Sequence, residues 1–168
     1  MSLSRNDLFA FLEHHGIATT TVEHPPLHTV EESQALRGEI GGGHTKNLFV
    51  KDKKGTLFLI VAEETRTIDL KTLHKTIGAQ GRLSFGSAEQ MGELLGVQPG
   101  SVTALGLVND TEHRVRLVLD AGLLAHDMLN CHPLTNTATT TIARDDLLAF
   151  FTATGHTPLV VSLDETPT

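Results

Sequence analysis

The sequence has no tryptophan, no tyrosine and a single cysteine, Cys131. One thiol cannot form an intrachain disulfide and gives a zinc site too few sulfur ligands, so a reducing cytoplasmic location is expected. Aromatic residues are 4% of the chain, all of them the seven Phe. That is too sparse for a platform that stacks single-stranded bases. Cations are also few, with 13 Lys and Arg against 20 Asp and Glu for a net charge of −7. A bulk basic footprint is therefore missing, and any contact with nucleic acid must use a local patch. No stretch approaches the roughly 20 consecutive apolar residues of a membrane helix. Met1 to Asp7 is polar, without the apolar segment of a secretory signal. What is present is 168 residues with 39% hydrophobic and 20% charged side chains, which predicts one packed domain over 1–168.

Helix and strand signals alternate irregularly. Ser4 to His15 carries Leu8, Phe9, Phe11 and Leu12 at helical spacing, with Gly16 as a stop. Ile17 to Glu23 reads as a strand ended by Pro25-Pro26. Thr29 and Glu32 fit a capping box for a short helix to about Leu36, before Gly38 and the Gly41–Gly43 run. Lys46 to Asp52 and Thr56 to Ala62 predict a β-hairpin around Lys53-Lys54-Gly55. Asp69 caps an expected helix through Ile77, and Ser87 with Gln90 caps another that stops at Gly96. Val102 to Val108 and Val115 to Leu119 read as strands flanking a turn at Asn109-Asp110-Thr111. Ala121 to Ala125 reads as a short helix or a loop. Asn136 to Ile142 reads as a strand, Asp145 to Thr152 as a helix closed by Gly155, and Pro158 to Leu163 as a last strand. The pattern predicts a mixed α/β fold dominated by antiparallel pairs. A dinucleotide fold is disfavoured, because the glycine run precedes a strand instead of following one.

Three polar segments stand out. Gly43-His44-Thr45-Lys46-Asn47 opens an apolar strand, where a lysine can direct its ammonium at a phosphate or carboxyl oxygen. Taken alone, a solvated strand-end lysine is the plainer reading. Gly96 to Thr103 is a loop of small residues whose backbone could approach a ligand closely, or simply a turn. Cys131-His132-Pro133-Leu134-Thr135-Asn136-Thr137-Ala138-Thr139 would suit the lip of a polar pocket, or an edge strand. Cys131 and His132 point to opposite faces of an extended chain, so they are not a nucleophile–base pair. Cys131 fits a small buried side chain.

The other histidines give no metal-ligand spacing, and no Gly-x-Ser-x-Gly elbow supports a serine hydrolase. No metal and no cofactor are expected. Seven of the 13 cationic residues fall between Lys46 and Lys75. They read either as solvated hairpin surface or as a phosphate-facing side.

The chain resembles the YbaK/ProX family, relatives of the insertion domain of bacterial prolyl-tRNA synthetase. The resemblance rests on Thr45-Lys46-Asn47-Leu48-Phe49-Val50, on Gly96-Val97-Gln98-Pro99-Gly100-Ser101-Val102-Thr103 leading to Leu107-Val108-Asn109-Asp110, and on His132 to Thr139. It covers nearly the whole chain and is strongest to the ProX (PrdX) type, which deacylates alanyl-tRNA(Pro). It implies a single α/β domain with a mostly antiparallel, barrel-like sheet and surrounding helices. It also implies hydrolysis of the ester joining a mischarged amino acid to tRNA, with the vicinal ribose hydroxyl helping to position water. By motif, Lys46, Gly100 and His132 are the implied catalytic residues, and Asn47, Ser101, Thr103 and Asn136 the implied substrate-binding ones. The implied partners are the acceptor end of tRNA(Pro) and prolyl-tRNA synthetase, in the cytoplasm and with no membrane role. One departure is that the family's Gly-x-x-x-Pro loop has Ala104 in place of Pro. The alternatives are a non-catalytic tRNA-binding or regulatory module on the same fold, and a small-molecule esterase unrelated to tRNA.

Overall fold

A computed structural model describes residues 3–26 and 41–163. The capping box expected at Thr29 and Glu32 lies outside these residues. Helix α1 (Arg5–His14) starts where expected. Ser4 caps it by accepting the Asp7 amide, and the Asp7 carboxylate accepts the Ser4 amide in return. Strand β1 (Thr19–Glu23) follows. Strands β2 (Gly43–Lys51) and β3 (Leu57–Glu63) form the expected hairpin, with Lys46 opposite Ala62 and Val50 opposite Phe58. The Asp52 carboxylate pins its turn by accepting the amides of Lys54, Thr56 and Gln80. Next come α2 (Leu73–Ile77), β4 (Ser84–Phe85) and α3 (Ala88–Leu95). The reciprocal Ser87–Gln90 cap and left-handed Gly96 bound α3 as the sequence predicts. Strand β5 (Val115–Asp120), strands β6 (Met128–Cys131) and β7 (Ala138–Ala143), helix α4 (Arg144–Thr154) and strand β8 (Leu159–Val161) complete the described chain. None of the described helices is long and apolar enough to cross a membrane.

The strands form one eight-stranded sheet, in the order β1-β7-β6-β2-β3-β5-β8, with β4 beside β2. The expectation of a mostly antiparallel, barrel-like sheet is corrected here: the sheet is mixed and open. β2 runs parallel to β6, β3 to β5, and β5 to β8, while the other pairs are antiparallel. Hairpin signals reveal only strands adjacent in sequence. The three parallel pairs need crossovers, which leave no turn signature. Two further corrections are local. Val102 to Val108 is not a strand, because Ala104–Asn109 is a 3-10 turn whose first five residues are buried. A continuous apolar run buried on all sides has no period to distinguish the two. Strand β6 was not expected at all.

Strand β3 is buried on both faces, which explains its unbroken apolar sequence. Leu57, Leu59 and Val61 join the larger core beneath α1, α3 and α4, while Phe58, Ile60 and Ala62 join a smaller one with Leu73, Ile77 and Val118. Asn109-Asp110 ties the ends of this core. Asn109 accepts the Leu3 amide at 2.7 Å and donates to the Leu95 carbonyl at 3.0 Å. Asp110 is buried and accepts the amides of Arg114 and Val115 and the His156 Nε2 at 2.8 Å. Burial raises the pKa of Asp110, but the His156 hydrogen bond and the two amides outweigh it, so the group sits below its ordinary value. Asp110→Asn places an NH2 group among these donors. It should destabilise the fold by about 2–4 kcal/mol, read as a lower urea midpoint with unchanged slope.

Candidate active site

Two of the implied catalytic residues lie just beyond the seam where β2 passes β6. The parallel register pairs Gly43 with Leu129 and His44 with Asn130. Lys46 lies two residues beyond His44, and His132 two beyond Asn130, so the two follow the seam to the same end of the sheet. Strand alternation gives them one face. Thr45 and Cys131 take the opposite one, where Thr45 Oγ1 donates to the Asn130 carbonyl at 2.7 Å and lies 3.9 Å from Cys131 Sγ. Burial pushes the Cys131 thiol up to about 12, so it is no nucleophile at neutral pH.

Lys46 is half-buried, and its Nζ donates to the Arg66 carbonyl. Burial lowers its pKa below the ordinary lysine value, and the nearby Glu64 charge partly opposes this. Among the described residues one donor is spent on Arg66, leaving two for a ligand oxygen. His132 is also half-buried, with Nδ1 3.1 Å from the Ala138 carbonyl. That contact requires the proton on Nδ1, so in the neutral ring Nε2 carries the lone pair. Burial depresses the His132 pKa foremost. The Ala138 carbonyl and Glu64 work against this, and His24 adds to it. His24 reaches the same face by its Nε2, 2.8 Å from Thr139 Oγ1. Glu64 and His24 are thus site residues that the sequence reading missed. Nothing in their local sequence marks them; only the fold brings them here.

The glycine loop borders this face through Thr103. Gln98-Pro99-Gly100-Ser101 is a turn closed by the Ser101 amide on the Gln98 carbonyl at 2.9 Å. Gly100 has φ +93°, as the third position of a type II turn demands, with Pro99 before it. The Ser101 amide is committed to the turn, so of the two loop residues it is Gly100 whose amide stays outside that bond. Thr103 Oγ1 donates to the His132 carbonyl at 2.7 Å and anchors the loop to the histidine segment. A Cβ at Gly100 would lie 3.8 Å from Asn136 Nδ2, which places Asn136 at the same rim. Between them Leu134 holds φ +67°, a left-handed conformation rare for a branched side chain. Gly100, Thr103, His132 and Asn136 are therefore contiguous. Asn47 shares its strand face with Thr45 and Phe49, opposite Lys46. Its Oδ1 is buried without a hydrogen-bond partner among the described residues.

With this geometry, comparison with known proteins is informative. The model of the aminoacyl-tRNA editing domain matches residues 24–150. The chain belongs to the aminoacyl-tRNA editing domain family. It is 34% identical over 161 residues to the prolyl-tRNA editing protein ProX of Acetoanaerobium sticklandii, covering 95% of this chain and 98% of that one. It is 41% identical over 162 residues to prolyl-tRNA synthetase associated domain-containing protein 1 of Danio rerio, covering 95% and 88%. The fold matches a solved structure described as a candidate trans-editing enzyme for prolyl-tRNA synthetase, with TM-score 0.72, 24% identity and coverage of 98% and 100%. The YbaK/ProX resemblance read from the sequence is thereby established.

Ala104, which stands in place of the family's loop proline, is the first residue of the 3-10 turn. Thr103 before it is extended, at φ −152° and ψ 148°. Proline favours that first position and requires an extended predecessor. Ala104→Pro should therefore keep the fold within about 1 kcal/mol of the parent. Thermal melting checks this, and a loss above about 3 kcal/mol would show that the buried neighbours of Ala104 leave no room for the ring.

Proposed function

We propose that the protein is a trans-acting deacylase of mischarged tRNA, with Ala-tRNA(Pro) as its preferred substrate. The observation that carries this reading is a half-buried His132, deprotonated at Nε2, on the same face as the Lys46 ammonium in a chain of the editing family. Its near full-length similarity to a prolyl-tRNA editing protein supports tRNA(Pro) as the carrier.

The reaction is ester hydrolysis. Water adds to the aminoacyl carbonyl, the ribose oxygen leaves and takes up a proton, and free amino acid and tRNA result. The two free Lys46 donors bind oxygens of the terminal ribose and phosphate. His132 Nε2 accepts a hydrogen bond from the attacking water or the vicinal ribose hydroxyl, and orients it. With a pKa below the ordinary histidine value it is a weak base, so the ribose hydroxyl shares in activating the water. Gly100 lends its amide to the developing oxyanion, while Ser101 and Asn136 line the aminoacyl end and buried Thr103 acts on substrate only by anchoring the loop. Asn47, whose Oδ1 is buried on the other face of the strand, acts on substrate only through the placement of Lys46 beside it. A pocket sized for alanine rejects proline by steric exclusion, which discriminates better than the ~1–3 kcal/mol of one methylene. The acceptor end of tRNA(Pro) and prolyl-tRNA synthetase are the partners of this reaction in the cytoplasm.

A deacylation panel of Ala-, Ser-, Cys- and Pro-tRNA(Pro) tests the reading. Ala-tRNA(Pro) should be cleared well ahead of Pro-tRNA(Pro). Faster clearance of Cys-tRNA(Pro) would move the chain to the cysteine-specific branch. Binding without hydrolysis of any member would leave a tRNA-binding module.

The pH profile tests His132. Its native pKa lies below the ordinary 6.5, so the neutral ring persists as pH falls through 6.5. The acid limb of kcat/KM should therefore have its midpoint below 6.5, and a midpoint at or above 6.5 would remove His132 from the mechanism. Stability follows the same sign. The unfolded chain protonates this histidine at higher pH than the native one does. The contribution of the neutral ring is thus full above about 6.5 and declines as pH falls toward the native pKa.

A further inference from the structure

Behind Lys46 lies a network that the site described so far does not include. Asp120, at the end of β5, is fully buried. Its Oδ2 accepts Arg66 Nε at 3.0 Å and the Glu63 amide at 3.1 Å, and its Oδ1 accepts the Gly122 amide at 3.0 Å. The Arg66 Nη2 lies 3.2 Å from Glu63 Oε2, and Glu63 Oε1 lies 2.7 Å from His126 Nε2. The Arg66 amide closes the turn onto the Glu63 carbonyl at 3.0 Å.

Two glycines make room for these groups. A Cβ at Gly122 would lie 2.4 Å from Arg66 Nη2 and 2.9 Å from Glu63 Oε2. A Cβ at Gly43 would lie 2.6 Å from the His126 ring. Any other residue at either position would displace the network. Among the described residues the carbonyl that holds Lys46 belongs to Arg66, so the guanidinium fork and the lysine clamp are two ends of one residue.

We propose that Arg66, held by Asp120 and Glu63, is a positioning residue: it fixes the turn whose carbonyl aims the Lys46 ammonium. Two of the guanidinium donors, at Nε and Nη2, are already held by the Asp120 and Glu63 carboxylates. This rests on the reading of Lys46 as a substrate clamp, and the test separates the two.

The experiment is a double-mutant cycle on Ala-tRNA(Pro) deacylation with Lys46→Ala, Arg66→Ala and the double variant, joined by Arg66→Lys. Arg66→Lys keeps a cation beside Asp120, so it stays folded if loss of charge pairing unfolds Arg66→Ala. Alongside, the Lys46 Nζ signal of lysine-labelled protein is followed by NMR, without substrate. The expected results are a tenfold or greater loss of kcat/KM in Lys46→Ala and in each Arg66 variant. The double variant should be no worse than Lys46→Ala alone, and the slowly exchanging Lys46 ammonium signal should be lost in both Arg66 variants. Multiplying losses in the double variant would overturn the proposal, as would an unchanged Lys46 signal in folded Arg66→Lys. If the parent hydrolyses none of the mischarged tRNAs, the deacylase reading fails. The ammonium signal still decides whether Arg66 positions Lys46.

Discussion

Two residue pairs join the halves of the sheet, Gly43 with Leu129 and His44 with Asn130. On one side stand β1, β7 and β6, on the other β2, β3, β5 and β8. A two-pair parallel ladder is weak by itself, so side chains reinforce it. Asn130 donates from Nδ2 to the carbonyls of Gly41 and Gly43 and accepts Thr141 Oγ1 at 2.6 Å. Thr45 donates to the Asn130 carbonyl from the other face. Gly42, at φ +98°, could not carry a side chain there, because its Cβ would lie 2.8 Å from the Met128 carbonyl oxygen. From this seam His132, on one half, and Lys46, on the other, run toward the same end of the sheet. A slip of one residue would turn Lys46 to the opposite face.

The seam also explains what could be read in the sequence and what could not. Elements with local chemistry were legible: α1 with its glycine stop, the β2–β3 hairpin, and α3 with its Ser87–Gln90 cap and Gly96. Each depends on residues a few positions apart. Strand β6 was not legible, since four residues carry no clear period and its parallel partner lies more than eighty residues away. The Ala104–Asn109 turn misled because every one of Ala104 to Val108 is buried. The site divides in the same way. Lys46, Gly100 and His132 stood within recognisable motifs, and the structure sets Lys46 with His132 on one face and ties Gly100 to that face through Thr103 and Asn136. Glu64, His24 and the Asp120–Arg66–Glu63–His126 network had no local mark. Each contact spans tens of residues, apart from the short Glu63–Arg66 turn.

That network resolves an electrostatic difficulty. Lys46 is partly desolvated, which disfavours its charge, and its hydrogen-bond acceptor belongs to an arginine. A guanidinium turned toward the ammonium would repel it, and more strongly where water is excluded. Here the guanidinium points at Asp120 and Glu63, leaving only the Arg66 carbonyl dipole toward the ammonium. Arg66 thus presents its negative end to Lys46 while its charge is balanced elsewhere. With the guanidinium balanced, Lys46 keeps only partial compensation from Glu64. On a chain of net charge −7, attraction for a phosphate cannot come from the whole surface. It has to arise within a Debye length, about 8 Å at physiological salt, where a single oriented ammonium with two open donors outweighs carboxylates farther away. The acidic balance of the protein is therefore compatible with an anionic substrate: Asp120 and Glu63 are engaged by Arg66, and Glu64 offsets the ammonium only in part.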